Sequence, residues 1–160
     1  MKKSAKHDKR HDVALRRIQR IFPQVTEITD ATAPLLVNVT EADCKGAVKS
    51  DPEHCAMAVA VRRQKVADGA IIGVAYSWLI RGTKAIRFKT SEAVGREITS
   101  FDRHDDFAAG VNYRLGPVSP ANRLGAGKVH KGPHNSHTTP LTQKVHRTAR
   151  IRELWPREKF

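Results

Sequence analysis

The positive charge of this 160-residue chain is concentrated at its two ends. Residues 1–33 carry 8 Lys and Arg against 4 Asp and Glu, and residues 119–160 carry 9 against 2. Residues 34–118 carry 12 against 10 and are therefore close to neutral. Since apolar periodicity is strongest in this middle part, the sequence predicts a folded core over residues 34–118 with a basic arm on each side.

Charge placed on polar extensions is typical of arms that bind a polyanion, most often nucleic acid. Such arms neutralise phosphates without reading the base sequence. Acidic surfaces of neighbouring protein subunits are the alternative partner, and either partner predicts membership of an oligomeric assembly such as a ribonucleoprotein. The cations that we assign to this contact are Lys2, Lys3, Arg10, Arg16, Arg17 and Arg20 in the N-terminal arm, and Lys144, Arg147, Arg150 and Arg152 in the C-terminal arm.

Other classes of protein are disfavoured by composition. No apolar run approaches the ~20 residues that a membrane span requires, and residues 1–12 lack the apolar segment of a signal peptide. We therefore expect a cytoplasmic protein, or one packaged in a particle. Two cysteines, Cys44 and Cys55, are too few for a disulfide scaffold or a cysteine-based zinc site, so reduced and partly buried thiols are expected.

The N-terminal arm contains a predicted basic helix. Residues 8–22 carry a ragged apolar stripe among arginines, and Pro23 ends the pattern. Residues 24–33 show no periodicity, which predicts a linker.

The core begins with a short apolar strand over residues 35–40, and Thr40 is a weak N-cap for a single helical turn. A longer helix is predicted to begin at Ser50, in a capping box with Glu53, or at Asp51, followed by Pro52. Its cationic end is followed by a stop signal at Asp68-Gly69.

Residues 70–80 alternate in the manner of one long strand. A turn over residues 81–84 leads to a second strand that points Ile86 and Phe88 inwards and Arg87 outwards. A helix capped by Thr90 or Ser91 and a last strand over residues 111–115 complete the core. The large residues predicted on one face of the long strand are Ile72, Val74, Tyr76, Trp78 and Ile80.

Read in order, these elements are strand, helix, strand, strand, helix, strand. This is the order of a ferredoxin-like split βαβ, in which two helices cover one face of a four-stranded antiparallel sheet. Another small α+β sandwich is the alternative. RNA recognition motif domains share the order, but they stack bases on aromatic residues of the first and third strands. Here residues 35–40 have no aromatic residue, and the third predicted strand has only Phe88.

A further resemblance is carried by Asp43-Cys44-Lys45-Gly46, by the run from Asp51 to Arg63, and by Ile98-Thr99-Ser100-Phe101-Asp102. This pattern resembles small uncharacterised proteins of bacteriophages and their bacterial hosts. The resemblance implies a phage-like origin and, with the charged arms, a small non-enzymatic structural or accessory protein of a phage particle.

An enzymatic alternative begins at the acidic segment Asp102–Asp106. Its carboxylates and His104 are the ligand types that hold Mg²⁺ or Mn²⁺ in a metal-dependent nuclease or other phosphoesterase. No facing strand supplies a second carboxylate pair, so a solvated helix end is the favoured interpretation and we expect no catalytic or metal-binding residue. No glycine-rich phosphate loop is present, and no cofactor is expected. The remaining candidates for metal or nucleophilic chemistry are His130, His134 and His137, in a Gly- and Pro-rich stretch, and Cys44, His54 and Cys55.

Overall fold

The computed structural model of the protein describes residues 9–125. This part is an α+β fold, in which four helices pack against one six-stranded sheet. The helices are α1 (Lys9–Gln19), α2 (Glu41–Lys45), α3 (Ala56–Arg63) and α4 (Glu92–His104), with a 3-10 turn at Pro120–Asn122. The strands are β1 (Glu27–Asp30), β2 (Leu35–Val39), β3 (Gly69–Ile72), β4 (Tyr76–Arg81), β5 (Lys84–Thr90) and β6 (Val111–Gly116).

The sheet has the strand order β2-β6-β5-β4-β3, and every neighbouring pair in this order is antiparallel. One edge of β5 is divided between two partners. Its first half pairs in parallel with β1, and its last residues, Lys89 and Thr90, pair with β6. The β2-β6 pair thus joins the sheet only at the end of β5.

Helix α3 lies inside the curve of this sheet. It contacts both β2 and β3, which stand at opposite ends of the strand order, so the sheet curls around it. Small side chains on α3 permit this close approach, because they leave room for strands on several sides. The fully buried residues of α3 are Ala56, Met57, Ala58, Ala60 and Val61.

Helix α4 covers the same inner core. Its N-cap Ser91 accepts a hydrogen bond from the backbone of Val94, and Val94, Ile98 and Phe101 are buried at helical spacing. Edge-to-face contacts then lead from Phe101 to Phe107 and from Phe107 to Tyr113 of β6. These contacts hold the loop after α4 against the sheet.

A second, smaller apolar cluster lies on the outer face of β3, β4 and β5. Ile18 of α1, Ile28 of β1 and Val25, which lies between these elements, are buried there against Ile80 and Ala85. Residues 9–33 are therefore packed on the sheet, and the predicted linker over residues 24–33 contains a strand. The strand was missed because it has four residues and one buried side chain.

The predicted four-stranded sheet is only roughly matched, and the strand order is not that of a split βαβ. In that arrangement, one strand separates the two strands that flank the first helix. Here the corresponding strands are β2 and β3, at opposite ends of the order.

The predicted long strand over residues 70–80 is wrong, because Gly73, Val74 and Ala75 form the turn of a hairpin between β3 and β4. Because the chain reverses at this turn, residues that alternation places on one face of a single strand lie on opposite faces of the sheet. Ile72 faces the inner core, whereas Trp78 and Ile80 belong to the outer cluster.

Helix signals were predicted more accurately than strand lengths. Thr40 forms a capping box with Asp43, as its position indicates, and α4 begins after Ser91. The predicted start of α3 is too early. Asp51 does accept the backbone N–H groups of Glu53 and His54, but the turn ends at Cys55, whose extended backbone precedes the helix. No helix within residues 9–125 is long and apolar enough to cross a membrane.

Candidate functional site

A groove of about 610 Å³ runs between one side of α1 and the part of the outer sheet face that carries Tyr76 and Trp78. We call it the α1 groove. Its wall on the α1 side carries cations and exposed apolar side chains, and its floor is formed by β3, β4 and β5. The residues that line it are Lys9, Arg10, Val13, Ala14, Arg17, Ile18, Ile21, Ile71, Tyr76, Trp78, Arg87, Asn122 and Leu124.

The four arginines predicted for the N-terminal basic helix differ in their position relative to this groove. Arg10 and Arg17 line the groove together with Lys9, and the two arginines share one side of α1 because they are seven residues apart. Arg16 and Arg20 are also exposed, but they are not part of the groove. The structure therefore brings two of the four predicted arginines of this helix to one site.

The floor of the groove contains two half-buried aromatic rings on one face of β4, Tyr76 and Trp78. The guanidinium carbon of Arg87 lies 4.6 Å from the centre of the Tyr76 ring and 5.8 Å from that of Trp78. Arg87 is opposite Trp78 in the antiparallel register of β4 and β5. These distances are those of a cation–π contact.

Arg87 is on the outer face, as predicted, but only 8% of it is exposed. Its Nε donates to Asp30 Oδ1 at 2.6 Å, and a terminal nitrogen donates to the carbonyl of Asn122 at 2.7 Å. The other oxygen of Asp30 accepts the backbone N–H of Leu124 at 2.6 Å. Because Asp30 neutralises Arg87, the net positive charge of the groove comes from the cations on α1.

A second groove, of about 760 Å³, runs along α4 beside the turn between β3 and β4. We call it the α4 groove. One carboxylate, Glu92, lies among its lining residues, against three Lys or Arg side chains and His104. Tyr76 borders both grooves. The other residues that line the α4 groove are Val74, Ala75, Lys89, Thr90, Gly95, Arg96, Thr99, Ser100 and Arg103.

The acidic segment Asp102–Asp106, at the end of α4, does not gather into a metal site. Asp102 accepts the backbone N–H of Ser50 at 2.8 Å, and Asp105 pairs with Lys49. Asp102, His104, Asp105 and Asp106 are all exposed. Across residues 9–125, no three His, Cys, Asp or Glu side chains come together in a group that could hold a metal ion.

The cysteines are free thiols, as expected, with Cys44 partly buried and Cys55 buried. Burial raises the pKa of both thiols, which lowers the fraction present as reactive thiolate at neutral pH. His54 instead contacts Asp51, at 2.9 Å between Nδ1 and Oδ2.

The buried carboxylate Asp43 ties α2 to α3. Although burial alone would raise its pKa, hydrogen bonds from Arg63 and Thr40 bring the pKa of Asp43 below its usual value. Arg63 Nε donates to Asp43 Oδ1 at 2.9 Å, and Arg63 also donates to the carbonyl of Asn38 in β2. These contacts stabilise the fold and leave Asp43 no exposed surface for chemistry.

Several predicted site residues fall outside residues 9–125, so the structure does not describe them. They are Lys2, Lys3, Lys144, Arg147, Arg150 and Arg152 among the expected contact cations, and the histidines His130, His134 and His137.

Sequence reasoning missed the aromatic floor and the cations of α4. The alternation of Tyr76 and Trp78 on one strand face was the available signal, because it placed both rings on the same side. Nothing in the sequence indicated that α1 would stand beside those rings. Comparisons with models of protein families, with curated proteins and with solved structures found no match to this chain.

Proposed function

We propose that this protein binds nucleic acid through the α1 groove, by phosphate contacts that do not depend on base sequence, and that it is a non-enzymatic accessory protein. The observation that carries the proposal is the combination of cations and aromatic rings in one groove. Lys9, Arg10 and Arg17 stand along one wall, and Tyr76 and Trp78 form the floor.

The electrostatics of the groove favour a polyanion. The carboxylate of Asp30 lies beneath the floor and is paired with Arg87. The Asp30 side chain is only 7% exposed, so it presents little negative charge to a ligand in the groove. Lys9, Arg10 and Arg17 are exposed to solvent. A phosphate chain that replaces the counterions of such side chains gains free energy from the release of those ions.

The wider setting that we propose is a large assembly, either a phage particle or a ribonucleoprotein. It is supported by the surplus of 9 Lys and Arg over 2 Asp and Glu in residues 119–160. Neighbouring protein subunits are the other class of partner that such charge favours.

The test compares two double variants of the full chain that each remove two cations from residues 9–20. The first variant, Lys9→Gln with Arg17→Gln, changes two cations that line the groove. The control, Arg16→Gln with Arg20→Gln, changes one exposed residue of α1 and the exposed residue that follows the helix, neither of which lines the groove. Binding to single-stranded and duplex oligonucleotides of mixed sequence is measured by fluorescence anisotropy across a range of salt concentrations.

We expect the groove variant to bind more weakly at all sequences. If both lost cations contact phosphates, the slope of log K against log salt flattens by up to about 1.4 for a single strand and about 1.8 for a duplex. The control should retain most of the wild-type slope. Equal losses in the two variants would contradict the assignment to the groove, and no binding by the wild type would contradict the proposed function.

A further inference from the structure

We infer that the occupant of the α1 groove is a single-stranded polynucleotide whose bases stack at Tyr76, and that the strand continues into the α4 groove. This inference rests on the proposed function and specifies its ligand. The chemistry involved, phosphates together with the faces of unpaired bases, is common to single-stranded DNA and RNA.

The aromatic floor is the reason to expect unpaired bases. In a duplex, the faces of the bases are already stacked on one another, so a protein ring cannot reach them without disrupting the helix. Proteins that bind single strands combine a positively charged groove with aromatic side chains on which bases stack. The α1 groove has both features, with Tyr76 and Trp78 facing the cations of α1.

Tyr76 is held in place for such a contact. Arg87 lies over its ring, and Arg87 itself is fixed by Asp30 and by the carbonyl of Asn122. The ring is half-buried and borders both grooves, so surface that Arg87 does not cover is open to a ligand. A ring that is already immobilised loses little conformational entropy when a base stacks on it.

The two grooves give the strand a path. Each has a volume within the range of sites that enclose small organic ligands, about 300–1,000 Å³. Cations lie on both sides of Tyr76, from Lys9 and Arg17 in the α1 groove to Arg96 and Arg103 in the α4 groove. Phosphates on either side of a base at Tyr76 would therefore meet positive charge.

The first test compares an oligothymidylate and an oligouridylate of about 16 nucleotides with a duplex of the same length. The full chain should bind both single strands more tightly than the duplex. Replacing the ring by an aliphatic side chain, in Tyr76→Leu, should weaken single-strand binding roughly 10-fold and leave duplex binding nearly unchanged, whereas Tyr76→Phe should retain wild-type affinity.

Trp78 gives a second readout that needs no change in either groove. The chain has two tryptophans, so Trp155→Phe leaves Trp78 as the only one. We expect a single strand to quench the emission of Trp78 in this variant and to shift it more than the duplex does. This measurement decides the question even if Tyr76→Leu fails to fold.

The continuation into the α4 groove is tested by Arg96→Gln with Arg103→Gln, against Lys45→Gln with Arg114→Gln. The control pair consists of exposed cations that line neither groove. We expect the first pair to weaken binding of the single strand several-fold and the control to have a much smaller effect.

The inference is overturned if the duplex binds as tightly as the single strands and Trp78 emission does not change. Its failure is distinguishable from failure of the proposed function. A loss of affinity in Lys9→Gln/Arg17→Gln, without any effect of Tyr76→Leu, would leave phosphate binding in place and remove the stacking contact.

Discussion

At the scale of single residues, Asp43 shows how one buried carboxylate stabilises three elements at once. It caps α2 through the backbone N–H of Thr40 at 2.8 Å, pairs with Arg63 at the end of α3, and thereby places Arg63 against the carbonyl of Asn38 in β2. Only 1% of Asp43 is exposed. A buried carboxylate of this kind is favourable because each oxygen has a donor.

We predict that Asp43→Asn lowers the free energy of unfolding by about 2 kcal/mol, because an amide nitrogen would replace an oxygen that accepts charged hydrogen bonds. Urea denaturation at neutral pH measures the change. Glu41→Gln, which alters an exposed carboxylate in the same helix, is the control and should change stability by less than about 0.5 kcal/mol.

The pKa of Asp43 predicts how stability depends on pH. Its pKa is lowered in the folded state, so the contribution of Asp43 is present above the pKa of the unfolded chain, about 4, and is lost as the pH falls through the folded pKa. Wild-type stability should therefore decline below about pH 4 more steeply than that of Asp43→Asn. Parallel declines in the two proteins would contradict this role.

The acidic segment at the end of α4 provides a residue-scale test of the enzymatic alternative. Asp105→Asn with Asp106→Asn removes two negative charges from exposed positions, and asparagine tolerates the left-handed backbone of Asp105. We expect a stability change of less than about 0.5 kcal/mol and equal or tighter binding of nucleic acid. Cleavage of nucleic acid with Mg²⁺ by the wild type, abolished in this variant, would establish the nuclease instead.

At the scale of elements, the β3-β4 hairpin depends on Gly73. A Cβ at this position would lie 2.7 Å from the backbone oxygen of Tyr76, which is closer than real Cβ contacts allow. The backbone N–H of Gly73 donates to that same oxygen at 3.1 Å, and the carbonyl of Gly73 accepts from the hydroxyl of Thr90 at 2.7 Å. A shift of the turn would disturb both contacts.

Gly73→Ala should therefore destabilise the protein by about 1–3 kcal/mol. It should also displace Tyr76, which follows the turn directly. Gly46→Ala is the matched control, since its Cβ would meet backbone atoms at 3.5 Å or more in an ordinary helical conformation. Thermal unfolding of the two variants measures the difference, and equal stabilities would contradict the role of Gly73.

The elements also show what local sequence signals can predict. Caps act within a few residues, so Thr40 and Ser91 marked two helix starts correctly. Alternation cannot reveal where a strand folds back on itself, because residues 70–80 keep an alternating pattern through the turn. The strand β1 depends on a partner far along the chain, β5, and has little signal of its own.

At the scale of the whole molecule, the α+β class was predictable from the order of elements, but the strand order was not. The position of β2 and β3 at opposite ends of the sheet is set by the packing of both against α3, which involves residues far apart in sequence. The candidate site likewise depends on packing between residues that are far apart in sequence. Arg10 and Arg17 were predicted as cations of an arm, yet the groove exists only because α1 packs beside β4.

This packing leads to a prediction about a fragment of residues 34–118. It contains the predicted core but lacks α1, β1 and the segment between them, which contribute Ile18, Ile28 and Val25 to the outer cluster. We expect the full chain to unfold cooperatively and this fragment to lack such a transition, as followed by circular dichroism during heating. A fragment that unfolds cooperatively at a similar temperature would show that the outer cluster contributes little to stability.

The central claim, that nucleic acid occupies the groove between α1 and the sheet, is tested most directly by photo-crosslinking. The full chain is irradiated in complex with a single strand that carries a photoreactive thymidine analogue, and the crosslinked peptides are identified by mass spectrometry. The account predicts crosslinks at Tyr76 or Trp78, with further ones on the groove face of α1. Crosslinks confined to residues 126–160, with none on β4 or α1, would contradict it.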